Sequence, residues 1–204
     1  MEIVKLYTVS VDLGIKHKKF LLENVSEGQK EKALRFANEI DQIRSLISSY
    51  LKNLLSREEL LKTSNGKPYF NNGPYFNISH SGRYILMAVA TSEIGVDIEE
   101  IKNKDMSAIV RIFNEAEARM IKEHSDFYYL WCAKESLIKC MGATVGKIRD
   151  IPGIPLNGLK TYKGKDYQCQ SFILDKHIVS ITREGKEQYK VEIKKVDKLP
   201  YIMK

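Results

Sequence analysis

Apolar and polar positions along this chain alternate with two different periods, and the change of period marks its elements. Glu2–Val9, Tyr84–Ala90 and Ile94–Glu99 repeat every second residue or run apolar, as strands do. Glu39–Leu55 places Ile40, Ile43, Ile47, Tyr50, Leu51 and Leu54 on one broad face at helical spacing. Residues 27–38 are also helical in pattern, with Ala33, Leu34 and Ala37 apolar, whereas His17–Ser26 reads as a turn plus the short apolar element Phe20–Leu22. Ser56 with Glu58 and Glu59 predicts a capping box that opens a short helix through Leu61. Turns at Asn65–Pro68 and Asn71–Pro74 bracket short β pieces at Tyr69–Phe70 and Tyr75–Ile78. With 84–90 and 94–98 these predict a small antiparallel sheet that closes a first half. Met106–Ile112 and Ala116–Glu123 read as helices, the second started by Asn114 with Glu117 three residues on. Then comes a long helix around Trp131, ended by Gly142, and a meander of strands at 159–162, 167–174, 177–183 and 189–195. The class is α+β, and polar Lys102–Asp105 divides a half at 1–101 from a half at 102–204.

Two segments place charges beside apolar surface. On the Trp131 helix, Leu130, Ala133, Leu137, Cys140 and Met141 form one apolar arc, and Glu135 and Lys139 lie one turn apart. Exposed, that pair is an ordinary helix salt bridge; buried, it costs desolvation unless a metal or a phosphate compensates it. In GVDIE at 95–99, strand alternation turns Val96 and Ile98 inward and sends Asp97 and Glu99 out together. Neighbouring carboxylates repel and destabilise the chain unless a cation sits between them. Without clustered His or Cys, such a cation is Mg²⁺, Mn²⁺ or Ca²⁺ rather than zinc. Taken alone, Asp97 and Glu99 read first as a solvated strand end; Glu135 as a third carboxylate and the segment just before residue 84 make the pattern specific.

Composition narrows the classes. No apolar run approaches a membrane span, and the N-terminus has acidic residues and no signal-peptide core. Cys132, Cys140 and Cys169 show no paired spacing, which predicts a reduced, cytoplasmic protein. The net charge of +7 suits an anionic partner. Its lysines are dispersed and no nucleic-acid module pattern is present, so nothing in the sequence supports nucleic acid, and an acidic protein fits the sign equally well.

The segment Asn77-Ile78-Ser79-His80-Ser81-Gly82, then GVDIE, then W-x-x-K-E-x-x-x-K from Trp131 to Lys139 resembles the 4′-phosphopantetheinyl transferase superfamily. Length and the region before His80 are similar to its larger, monomeric, surfactin-synthetase-activating type. The resemblance implies two similar α+β halves related by a pseudo-two-fold, with the active site in the cleft between them. It also implies transfer of the phosphopantetheine arm of coenzyme A to a serine of an acidic acyl- or peptidyl-carrier protein, with release of 3′,5′-ADP. By that resemblance Asp97, Glu99 and Glu135 bind Mg²⁺, with Mn²⁺ as a substitute, and Glu135 is the general base, acting directly or through a metal-bound water. Lys139 grips the diphosphate. Ser79, His80 and Lys67 match coenzyme A contacts, and Lys32 and Arg44 match basic residues at its nucleotide end. Gln29 departs from the pattern, which has a lysine there, and Lys30 beside it is the expected substitute. Ile109, Phe113 and Met120 lie where the family receives the carrier, although core packing explains them as well. Two other classes compete: a non-catalytic nucleotide- or RNA-binding module, and a metal-dependent phosphohydrolase that uses the same three acids.

Overall fold

A computed structural model describes residues 1–103, 110–144, 148–151, 153, 155–201 and 203. The expected helix at Met106–Ile112, the boundary at Lys102–Asp105 and Ile109 fall wholly or partly outside them.

Two four-stranded sheets lie face to face with a helical layer outside each. The first has the order β10-β1-β5-β4, built from β1 (Glu2–Ser10), β4 (Tyr75–Ser81), β5 (Tyr84–Ala90) and β10 (Tyr189–Val196). The second has the order β6-β9-β8-β7, built from β6 (Ile94–Glu100), β7 (Asn157–Tyr162), β8 (Lys165–Leu174) and β9 (His177–Glu184). A short ribbon pairs β2 (Leu61–Lys62) with β3 (Pro68–Tyr69). Alternation sorts the side chains: Val4, Leu6, Leu86 and Ala88 meet Val96, Ile98, Val179 and Ile181 between the sheets. The opposite faces of β1 and β5, with Tyr7, Val9, Ile85 and Met87, pack on the helices α1 (Val11–Lys16), α2 (Lys18–Glu23), α3 (Glu27–Leu34) and α4 (Glu39–Leu55). On the far side, α5 (Glu115–Met120) and α6 (His124–Cys140) complete the second layer.

The mixed architecture is the α+β class expected. Four local expectations are corrected. Residues 11–23 are two short helices, because Ser10 caps the first by accepting from Leu13 N at 3.1 Å and Gly14 lets it close on Ile43 and Ile47 of α4. No helix opens at Ser56: Glu58 instead accepts from Asn72 N at 3.0 Å, bridging to the loop before β4, and the chain continues into β2. The grouping of 94–98 with 75–78 and 84–90 in one sheet gives way to pairing of β6 with β9, Asp97 opposite Ser180. Finally, β10 leaves the C-terminal meander and pairs in parallel with β1, Glu2 opposite Tyr189. Each sheet therefore contains a strand from the other part of the chain, and β4 and β6 lie side by side where the sheets adjoin.

Candidate active site

The site forms where α6 crosses β6. Gly95 makes the crossing close: a Cβ there would lie 2.0 Å from Ser136 O and 2.4 Å from Cys140 N. Strand backbone thus touches helix backbone, and the next outward residue, Asp97, arrives beside the last turn of α6. Lys139 Nζ lies 2.5 Å from Asp97 Oδ1 and 3.3 Å from Glu135 Oε2, and donates to Ser79 Oγ at 3.1 Å. Ser79 in turn donates to Asp97 Oδ1 at 3.0 Å, and Ser81 to Glu99 Oε2 at 2.9 Å. Asn77 accepts from Val96 N at 3.0 Å. Three alternate residues of β4 therefore serve β6 along the seam between the sheets.

Crowding of carboxylates sets the electrostatics. Burial, and then the Asp97 charge, raise the Glu135 carboxyl to about 7, with Lys139 pulling the other way. Burial and then Asp97 also raise Glu99, against the Ser81 hydrogen bond. For Lys139, burial alone would lower the pKa; the charges of Asp97 and Glu135 together outweigh it and the net shift is upward. Asp97 is 2% exposed, and its Oδ2 has no hydrogen-bond partner among the described residues. The neighbouring Cys132 thiol makes its hydrogen bond to Ile178 O at 3.5 Å instead. Burial pushes the Cys140 thiol to about 12 and the Cys132 thiol well up, which fits both as packing residues.

His80 alternates to the other side of β4 and faces a groove of about 420 Å³ against α3 and α4. Lys32, Arg44 and Lys52 line it with Ser45, Ser48 and Ser49. Three of the residues expected to contact coenzyme A thus share one groove. Desolvation and then the Arg44 charge lower the pKa of His80, favouring the neutral ring. Arg44 also pairs with Asp41 at 2.8 Å and donates to the carbonyl of Gly82, whose φ of +52° suits glycine.

Lys67 sits elsewhere. Its ammonium is 2.5 Å from Glu93 Oε2 and donates to Cys140 O at 2.9 Å and Ile94 O at 3.2 Å, tying the β2–β3 ribbon to β6 and the end of α6. It lines a separate cavity with Tyr69 and Phe70. Lys30 does not enter the groove; it pairs with Glu27 at 3.4 Å, and Gln29 is held by Asn53 and by the Ser26 cap.

A model described as the 4′-phosphopantetheinyl transferase superfamily matches residues 93–191, a segment that holds Asp97, Glu99, Glu135 and Lys139. The chain is 30% identical to the 4′-phosphopantetheinyl transferase Sfp of Bacillus subtilis over 85% of its own length and 83% of that protein. It belongs to the 4′-phosphopantetheinyl transferase superfamily. Similarity extends to the 4′-phosphopantetheinyl transferase gsp of Aneurinibacillus migulanus, 34% identical over 60% of this chain and 58% of that protein. The chain therefore matches a little over half the length of that relative. A mouse protein named L-aminoadipate-semialdehyde dehydrogenase-phosphopantetheinyl transferase is 27% identical over 78% of the chain and 57% of its own length. Ser79, His80, Lys67, Lys32 and Arg44 precede the segment matched by the superfamily model. No helix among the described residues is long and apolar enough to cross a membrane.

Sequence reasoning missed three participants. Ser81 could have been found by pairing the alternation of 77, 79 and 81 with that of 97 and 99. Lys52 lies eight residues from Arg44, hence on the same stripe of α4. Lys134, inside the W-x-x-K-E motif, is wholly buried and meets both Glu117 oxygens at 2.8 Å beneath the Phe113 ring. Glu117 also closes the capping box of α5 with Asn114, so the pair fixes α5 to α6. Phe113 is buried core, and Met120 is 69% exposed.

Proposed function

We propose that this member of the superfamily transfers the phosphopantetheine arm of coenzyme A to a serine hydroxyl of an acidic acyl- or peptidyl-carrier protein, releasing 3′,5′-ADP. The observation that carries the reading is the Asp97–Lys139–Glu135 cluster, separated by a single strand from a groove lined by Lys32, Arg44 and His80. A diphosphate spanning that strand would meet cations on one side and a base on the other.

The donor set fits a hard divalent ion. Asp97, Glu99 and Glu135 supply carboxylate oxygens only, and Asp97 Oδ2 is buried without a hydrogen bond. Lys139 holds the position between Asp97 and Glu135, so no group of three His, Cys, Asp or Glu residues closes on one point among the described residues. Bound by these carboxylates, Mg²⁺ would neutralise the charge of the diphosphate oxygens. Lys139, on the last turn of a rigid helix, is placed to grip the diphosphate and stabilise charge on the departing 3′,5′-ADP. Burial and Asp97 raise Glu135 toward neutrality before a cation binds, and a bound cation would lower it again. From its place on the helix Glu135 would take the proton of the carrier serine, directly or through a water, as the serine oxygen attacks phosphorus and the bond to 3′,5′-ADP breaks. Lys32, Arg44 and His80 would hold the nucleotide end, with Ser79 between the two regions. Lys67 is better employed holding the end of α6 than contacting coenzyme A. The exposed Met120, with Leu156 beside it in a shallow apolar cavity, is a candidate contact for the carrier.

The test is incubation with apo-carrier, coenzyme A and Mg²⁺, followed by intact-mass analysis of the carrier. A gain of one phosphopantetheine arm that requires all three components is expected. Cleavage of coenzyme A without carrier would make the protein a hydrolase, and failure to modify any of a panel of carriers would refute the reading. Glu135→Gln should lose transfer while still binding coenzyme A.

A further inference from the structure

The groove between α3, α4 and β4 carries more positive charge than its carboxylates balance. Of Lys32, Arg44, Lys52 and His80, Arg44 has a carboxylate partner, Asp41 at 2.8 Å. No ion pair or hydrogen bond engages the ammonium of Lys32 or Lys52 among the described residues. Yet Lys52 is half-buried, and burial, followed by the charges of Lys32 and Lys62, lowers its pKa to about 8. Two like charges brought together at a partly desolvated wall destabilise the empty groove, and an anion between them removes the conflict. Neighbouring serine hydroxyls at 45, 48 and 49 add neutral donors on the same wall.

The charge needed also identifies the anion. A phosphate diester or an internal diphosphate oxygen carries about one negative charge per phosphorus, whereas a phosphomonoester carries roughly −1.5 to −2 near neutral pH and offers three acceptor oxygens. Two lysines lining one groove match the second. We propose that Lys52 is a specificity-determining contact for a phosphomonoester, shared with Lys32, and that it makes the protein discriminate nucleotides carrying this extra phosphate from those lacking it. The inference rests on the coenzyme A reading, in which the monoester is the 3′-phosphate. It assigns to Lys52 the charge that Lys30 does not deliver, since Lys30 is paired with Glu27 outside the groove.

Calorimetric binding of coenzyme A and of 3′-dephospho-coenzyme A to the whole protein, without carrier, tests it. Wild type should prefer coenzyme A. Lys52→Met, which keeps the length and helix propensity of the side chain, should weaken coenzyme A about tenfold, the ordinary scale for one charged contact. It should leave 3′-dephospho-coenzyme A unchanged, and Lys52→Arg should restore most of the preference. An unchanged ratio in Lys52→Met, or an equal loss for both ligands, overturns the assignment while leaving the transferase reading intact. Wild type that binds neither ligand overturns that reading, and the Lys52 assignment with it.

Discussion

Gly95→Ala tests whether the contact between strand and helix backbone builds the site. The added methyl would sit 2.0 Å from Ser136 O, 2.4 Å from Cys140 N and 3.0 Å from Lys139 C, all backbone atoms that no rotamer change can move. Reaching ordinary contact requires α6 to retreat from β6 by roughly 1.4 Å. A displacement of that size in a close-packed layer costs about 3 kcal/mol or more, the upper range for overpacking. For a chain of this size that lowers the melting temperature by roughly 6–12 °C. The same retreat carries Lys139 and Glu135 away from Asp97, now 2.5 Å from the ammonium. Misplacement by about 1 Å costs on the order of a hundredfold in turnover. Thermal and urea denaturation measure the first effect, and carrier-modification rates below the melting transition measure the second. A Gly95→Ala protein within about 1 kcal/mol of wild type that modifies carrier at full rate would refute the claim that this contact sets the site.

Glu135 gives a pH signature. Its folded pKa of about 7 lies above the ordinary glutamate value of 4.5, so the folded state holds the extra proton and stability falls as pH rises through that window, by at most about 3 kcal/mol. Wild type should lose this stability between pH 4.5 and 7 relative to Glu135→Gln, and Mg²⁺ should stabilise wild type more at pH 8 than at pH 5.5; parallel pH profiles for the two proteins would refute it. Lys134→Met strands the Glu117 carboxylate in the core and should cost about 3–5 kcal/mol by urea denaturation. Adding Glu117→Gln should recover much of that loss, and equal losses in single and double variants would count against an uncompensated charge as the cause. Lys67→Met removes an ammonium shared by three oxygens and should cost about 2 kcal/mol with little change in coenzyme A affinity. The reverse pattern would return Lys67 to the binding site.

Elements with a strong internal period were legible from sequence. The helix read at Glu39–Leu55 and the strand at Tyr84–Ala90 have those bounds in the structure, because each buries one continuous face. Ser56-Arg57-Glu58-Glu59 misled because a capping box is a local signal: Ser56 Oγ accepts from Glu58 N at 3.0 Å rather than from the N3 amide, and the Glu58 carboxylate accepts from the Asn72 amide fourteen residues away. Sheet membership was hidden for a different reason. A strand's alternation says which residues share a face and nothing about its neighbour, so the pairing of β10 with β1, nearly the whole chain apart, left no mark. The site was half legible. Asp97 with Glu99 and Glu135 with Lys139 follow from local periods, and their meeting follows from Gly95, whose role appears only when a Cβ is tried against α6. Lys67 and Lys30 show the converse: a basic residue in a suggestive place can be spent on a structural partner.

One strand explains why the charged cluster and the basic groove can coexist without cancelling. On β4, Ser79 and Ser81 face the acids of β6, while His80 between them faces α4. Period-two geometry thus separates the two regions by one backbone thickness rather than by a domain interface. Direct pairing of Lys32 or Arg44 with Asp97 or Glu99 would satisfy both sets of charges and leave nothing for a ligand. The strand prevents it: the acids have Lys139 as their one ion-paired cation among the described residues, and the groove has Asp41 as its one ion-paired carboxylate. Acid-rich and base-rich surfaces held apart in this way each carry unresolved electrostatic cost, visible in the raised Glu135 and Glu99 and the lowered Lys52. A ligand with a cation-bound diphosphate in the middle and a phosphomonoester at one end relieves both at once. That shared relief couples the two regions energetically, so binding at the groove should strengthen divalent-ion binding at the acids even though, among the described residues, no side chain of one region pairs with a side chain of the other.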